Sequence, residues 1–185
     1  MNSQSIMRYC GGAAIVSALL YVVSVVAWMG GDPTGAPPPL AATAYAVGSL
    51  LFLAVLYALF LIHRGESFAL SVGAVLLLGV SVVASLFLDP SDLSNPLIPI
   101  LNACYGVGAL LLGWLALRSP RLPNGVGILA MLMGALSLAM LPFMFAGATE
   151  TVEAVNLVIG LLYVVWLCWL GWIFIKSVST SAQPA

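Results

Sequence analysis

Six apolar runs, at about 9–30, 40–62, 67–88, 97–117, 125–146 and 153–175, constrain this chain more than any motif in it. Each has about 20 residues, enough at 1.5 Å per residue to cross a hydrocarbon core about 30 Å thick. None carries the polar stripe that a surface helix of a soluble domain needs. Only 6% of the 185 residues are charged, against about 25% in soluble domains, and the mean hydropathy is +1.16. So few charges cannot cover a water-soluble fold, so lipid must be the solvent for most of the surface. The sequence predicts an all-α integral membrane protein, a polytopic six-transmembrane-helix bundle forming a single domain over 1–185. The first run is too long for a signal-peptide core and has no small-residue cleavage site before Asp32, so it is expected to stay in the protein.

The breaks between runs carry turn chemistry: "GDPTGAPPP", "HRGE", "DPSDLSNP", "RSPRLPNG" and "GATETVE". Asn95 followed by Pro96 reads as a helix cap with proline at the first helical position. Charge then orients the runs. The chain's five bases, Arg8, Arg64, Arg118, Arg121 and Lys176, all fall on one side of a six-span arrangement, with Glu66 the only acid among them. Asp32, Asp89, Asp92, Glu150 and Glu153 fall on the other. Because Lys and Arg near span ends stay on the cytoplasmic side, both termini are expected there, in a plasma or inner cell membrane.

Part of the chain is written more than once. "LLYVVSVVAWMGGDP" (19–33) and "LLLGVSVVASLFLDP" (76–90) share nine of fifteen residues. "AYAVGSLL" (44–51) matches "CYGVGALL" (104–111), and "LGWLALRS" (112–119) matches "LGWIFIKS" (170–177). "ALSLAM" (135–140) keeps a serine where the earlier copies have Ser24 and Ser81. These matches predict three helical hairpins, at 7–64, 65–121 and 122–177, followed by a short polar cytoplasmic tail at 178–185. Each has two spans, so the repeats would share one orientation, unlike the inverted repeats of many transporters.

Ionisable residues inside a bilayer cost roughly 3 kcal/mol or more and mark proton or ion pathways. No acid or base lies inside a predicted span beyond Glu153 at the first residue of the last one, which argues against proton pumps, proton-coupled carriers and voltage sensors. His63, the one histidine, sits at a span end beside Arg64 and reads as an interfacial or capping residue; alone it cannot make a zinc or bis-histidine haem site. Cys10, Cys104 and Cys168 follow no metal or redox spacing. Asp89, Asp92, Glu150 and Glu153 are weak candidates for a cation site, but helix stops and helix N-termini account for them equally well. No cofactor is indicated, and no basic patch offers a footprint for nucleic acid.

Polar residues within the spans fit interhelical contacts. Ser24, Ser81 and Ser137 recur with the repeat, Tyr45 and Tyr105 occupy matching positions, and Asn102 and Asn156 lie early in the fourth and sixth spans. Small pairs accompany them, Ala44/Gly48, Cys104/Gly108 and Ala109/Gly113, which let helices approach closely. In "YVVWLCWLGW", Tyr163, Trp166 and Trp169 with Met140 and Met144 of the fifth run are candidates for holding a flat lipophilic ligand; Trp114 and Trp172 read as interfacial anchors. Nucleophile, metalloprotease and phosphate-loop motifs are missing. The expectation is a non-catalytic subunit or scaffold that meets the lipid bilayer and a homo-oligomer or larger membrane complex. The alternative is a binder or facilitator of a lipophilic or uncharged molecule such as a quinone, isoprenoid, pigment or lipid.

Overall fold

A computed structural model describes residues 3–30, 38–88 and 93–180. Six helices account for nearly all of them: α1 (Ser3–Met29), α2 (Pro39–His63), α3 (Phe68–Ala84), α4 (Leu97–Arg118), α5 (Asn124–Phe145) and α6 (Thr149–Thr180). No strand occurs among the described residues. Five of the helices contain apolar segments long enough to cross a membrane: Ser5–Met29, Pro39–His63, Leu97–Arg118, Asn124–Phe145 and Thr149–Lys176.

The third helix differs from the run that encodes it. Its 17 residues rise about 25 Å, short of a hydrocarbon core of about 30 Å, although the apolar run continues to Leu88. The chain tightens after Ala84, where the Leu86 and Phe87 amides reach back only three residues, to the carbonyls of Val83 (3.2 Å) and Ala84 (3.0 Å). Ser85 Oγ meanwhile donates to the Val82 carbonyl at 2.8 Å. A serine that bonds the backbone of the preceding turn competes with the helical ladder, so hydropathy overestimates the helix.

Other ends follow the local code. Asn95 Oδ1 accepts the Leu97 amide at 3.0 Å, and Pro96, with φ −64°, stands at the N-cap of α4, one position before the first helical residue that the Asn-Pro pair predicts for it. The α5 helix closes on Gly147, whose φ of +67° is one that a side chain would resist. Its amide bonds to Met144 O (3.1 Å) and the Ala148 amide to Phe143 O (3.0 Å), which satisfies the terminal carbonyls as a Schellman cap.

The chain divides into two compact units, residues 1–58 with 167–185, and residues 59–166. In the second, α4 packs against both α3 and α5. The α4–α5 contact is backbone against backbone. A Cβ added to Gly134 would lie 2.6 Å from the Gly106 carbonyl oxygen, and one added to Gly127 would lie 2.8 Å from that of Gly113. On the α3 side, a Cβ on Gly108 would meet Leu78 Cγ at 2.8 Å and the Ala74 carbonyl oxygen at 3.2 Å. Leu110, Leu117, Met131 and Leu138 flank the α4–α5 glycines. In the first unit, Gly11 of α1 faces the Gly171 carbonyl of α6, 2.9 Å from where a Cβ would sit. Ser17 Oγ donates to the Gly48 carbonyl at 2.9 Å, joining α1 to α2.

The exterior is apolar, as the interior is. Ser17, Ser24, Ser71, Ser81 and Ser137 are buried, whereas Leu19, Leu76, Leu161 and Trp172 are each about 60% exposed. Such a surface is stable against hydrocarbon, where small residues and hydroxyls serve helix contact and large apolar side chains face lipid. We predict that Gly134→Ala, which forces α4 and α5 apart, destabilises the protein by about 1–3 kcal/mol. Gly73→Ala, with no atom within 4 Å of the new methyl, should be neutral or stabilising by up to about 1 kcal/mol. Unfolding in mixed micelles checks both.

Candidate functional site

The aromatic and methionine residues singled out in the sequence do not gather in one place. Trp166 is buried, and its Nε1–H donates to the Val126 carbonyl at 3.0 Å, binding α6 to α5. Met140 and Met144 are buried in a cluster with Ile98 and Val152, against Leu88, Leu93, Leu141 and Val155. Val152 precedes Trp166 by fourteen residues of α6, about 21 Å along the axis. Trp169 is 37% exposed, and Tyr163 is half-buried.

The polar contact residues divide similarly. Asn102 Nδ2 donates to the Ser137 carbonyl at 2.6 Å, and the Tyr105 hydroxyl approaches Met133 Sδ at 3.9 Å, so both join α4 to α5. The Ser137 hydroxyl itself is buried without a partner. Ser24 and Ser81 are buried, Tyr45 is half-buried, and Asn156 is exposed. Of the small pairs, Gly48, Gly108 and Gly113 all sit at contacts within the chain.

Glu150 and Glu153 are exposed, while Asp32, Asp89 and Asp92 lie outside the described residues. Among the described residues no three His, Cys, Asp or Glu side chains come together to hold a metal ion. Glu150 does border a shallow groove of about 420 Å³, lined also by Leu136 of α5 and by Thr151, Ala154, Val155 and Val158 of α6.

The densest polar constellation was not anticipated. It gathers at the end of α2, where His63 is wholly buried. The Glu66 carboxylate, in the α2–α3 turn, accepts from His63 Nδ1 at 3.1 Å and from Ser119 Oγ at 2.7 Å. The Arg121 backbone amide donates to Ser119 Oγ at 3.3 Å, and Arg121 Nη1 donates to the Ile62 carbonyl at 3.1 Å. A cation at that carbonyl also complements the negative end of α2. Burial pushes the Glu66 carboxyl upward, but the Ser119 hydroxyl, His63 and Arg121 together hold it below its ordinary value. It is therefore ionised at neutral pH and accepts only, so the His63 proton is on Nδ1. The His63 Nε2 is buried with no partner. The spacing of His63 and Glu66, and the position of Glu66 as the lone acid among bases, were the available sequence signals. Nearby, the Arg118 guanidinium lies 4.4 Å from the Trp114 ring centroid, a geometry suited to an interfacial anchor.

Long apolar helices, an apolar exterior and buried serines define the class: this is a multi-pass α-helical membrane protein. Comparison with known proteins adds no narrower identity, since no family model, curated protein or solved structure matches the chain significantly.

Two outcomes follow from this geometry. Trp166→Phe should cost about 1 kcal/mol of stability for the lost hydrogen bond, whereas Trp169→Phe should change it by less than about 0.5 kcal/mol. Because the folded state lowers the Glu66 pKa, its contribution to stability is full above about 4.3, the ordinary glutamate value, and is lost as pH falls further. Thermal unfolding in detergent between pH 3 and 6 (roughly the range set by that value) should show this loss in the parent and a flatter profile in Glu66→Gln.

Proposed function

We propose that this protein is a non-catalytic scaffold or accessory subunit of a membrane assembly, built from three like-oriented helical hairpins with both termini in the cytoplasm. One observation carries the reading: three of the five side chains singled out for a lipophilic ligand, Trp166, Met140 and Met144, are buried in helix packing. Trp166 joins α5 to α6, Asn102 joins α4 to α5, and Met140 and Met144 fill an apolar cluster. What faces outward is an apolar surface suited to lipid or to other membrane helices.

The hairpin repeat has support from matching contacts. In the register that aligns 23–27 with 80–84 and 44–51 with 104–111, Ser17 corresponds to Ala74, Tyr21 to Leu78 and Gly48 to Gly108. A Cβ on Gly48 would meet the Ser17 carbonyl oxygen and the Tyr21 amide nitrogen at 3.5 and 3.9 Å. One on Gly108 would meet the Ala74 carbonyl oxygen and the Leu78 amide nitrogen at 3.2 and 3.1 Å. Equivalent positions thus use the same backbone atoms, as duplication of a hairpin entails. The third copy departs from this, with Trp166 at the position of Gly108 when 112–119 is aligned with 170–177. The groove beside Glu150 favours a second reading, a binder of a lipophilic small molecule, though through residues other than the tryptophans.

Native mass spectrometry from lipid nanodiscs should find a homo-oligomer or a co-purifying membrane partner. A bare monomer from native membranes would remove the scaffold reading, and a retained quinone, isoprenoid or pigment would favour the binder. For topology, in a variant lacking the three native cysteines, Gly65→Cys should react only with reagent on the cytoplasmic side and Ala148→Cys only from outside.

A further inference from the structure

The network at the end of α2 has a property that packing alone does not require. His63 is the one histidine of the chain, is wholly buried, and keeps an Nε2 with no hydrogen-bond partner. We propose that His63, Glu66, Ser119 and Arg121 form an acid-released latch that holds the α2–α3 turn against the α4–α5 loop.

The closed arrangement has room for one imidazole proton. That proton lies on Nδ1 and is donated to the Glu66 carboxylate. A second would lie on Nε2, buried with no acceptor, and a buried donor left unpaired costs about 1–3 kcal/mol. Two charged groups face the ring. Glu66, in the turn that follows α2, attracts an imidazolium, while Arg121, reaching from the α4–α5 loop to the Ile62 carbonyl, repels it. Ser119, from the end of α4, already donates to the other Glu66 oxygen, so the carboxylate is shared and not free to compensate. Separating the turn from the loop admits water to Nε2 and removes the opposed cation.

In the separated form His63 titrates near the ordinary histidine value of about 6.5. The closed form is therefore fully favoured above that pH. Below it, the ratio of open to closed molecules rises by up to about tenfold per pH unit, because opening takes up one proton. Protonation of Glu66 acts in the same direction, but only below the ordinary glutamate range. The device thus responds to mild acid through the histidine and to strong acid through the glutamate.

Leu122, beside Arg121 in the α4–α5 loop, is 5% exposed and reports opening. The test uses the full-length protein in nanodiscs with its three native cysteines replaced by alanine. Maleimide labelling of Leu122→Cys is compared with that of Gly65→Cys, an exposed site that supplies the intrinsic pH dependence of the thiol. The rate ratio should rise by up to about fivefold between pH 6.5 and 5.5, and stay flat when His63→Phe is added. In parallel, ¹⁵N-histidine NMR of the unsubstituted protein should show the Nδ1–H tautomer at pH 7.5 (about one unit above the ordinary value). An imidazolium signal should then grow as labelling grows. A flat ratio in the parent, an equal rise with His63→Phe, or imidazolium formed while Leu122→Cys stays protected would each overturn the latch.

Discussion

Close approach of helix backbones is the contact on which the described structure depends. Gly106 and Gly113 of α4 face Gly134 and Gly127 of α5 so closely that no Cβ fits between them. Lipid tails are as apolar as leucine, so burial of apolar surface contributes little to helix association in a membrane, and van der Waals contact and interhelical polar bonds must do more. A glycine pair maximises that contact and lets Leu110, Leu117, Met131 and Leu138 close around it. Because α4 also receives α3 at Gly108, one helix with glycines on two faces organises its unit.

The same constraint explains where polar atoms lie. A hydroxyl or amide in hydrocarbon needs a partner inside the protein. Ser17 and Asn102 find carbonyls on neighbouring helices, and Trp166 finds Val126 O. These bonds add direction to contacts that glycines make close. The end of α2 is different in kind: there Glu66, Ser119, Arg121 and His63 join two loops through charge-assisted bonds, which are stronger than neutral ones. Leaving Nε2 of His63 without a partner makes that junction the place where protonation and conformation are coupled.

Much of the helical layout was legible because hydropathy and length act locally. Five apolar runs became long helices, and Asn95-Pro96 capped α4 as its chemistry requires. The third helix ended early, since Ser85 bonds the preceding turn and hydropathy cannot register that competition. The candidate site was less legible. Trp166 and Trp169 are three residues apart, yet one is buried and the other partly exposed, a distinction set by what packs against each. Asn156 looked equivalent to Asn102 but faces outward. The glycines that matter most on α4 and α5 are seven apart, whereas the sequence drew attention to small residues four apart.

By itself, the sequence determined that this chain is helical and membrane-embedded, because a backbone in lipid must satisfy its own hydrogen bonds and 6% charge leaves no alternative solvent. Only the tertiary structure decided which glycines meet, which tryptophan is buried, and that His63 lies beneath Glu66 and Arg121. Those facts depend on residues tens of positions apart arriving at one point, as Glu66 and Ser119 do across 53 residues. No local pattern encodes such a meeting, because each partner alone has an adequate local explanation: a turn acid, a helix-end serine, a loop arginine.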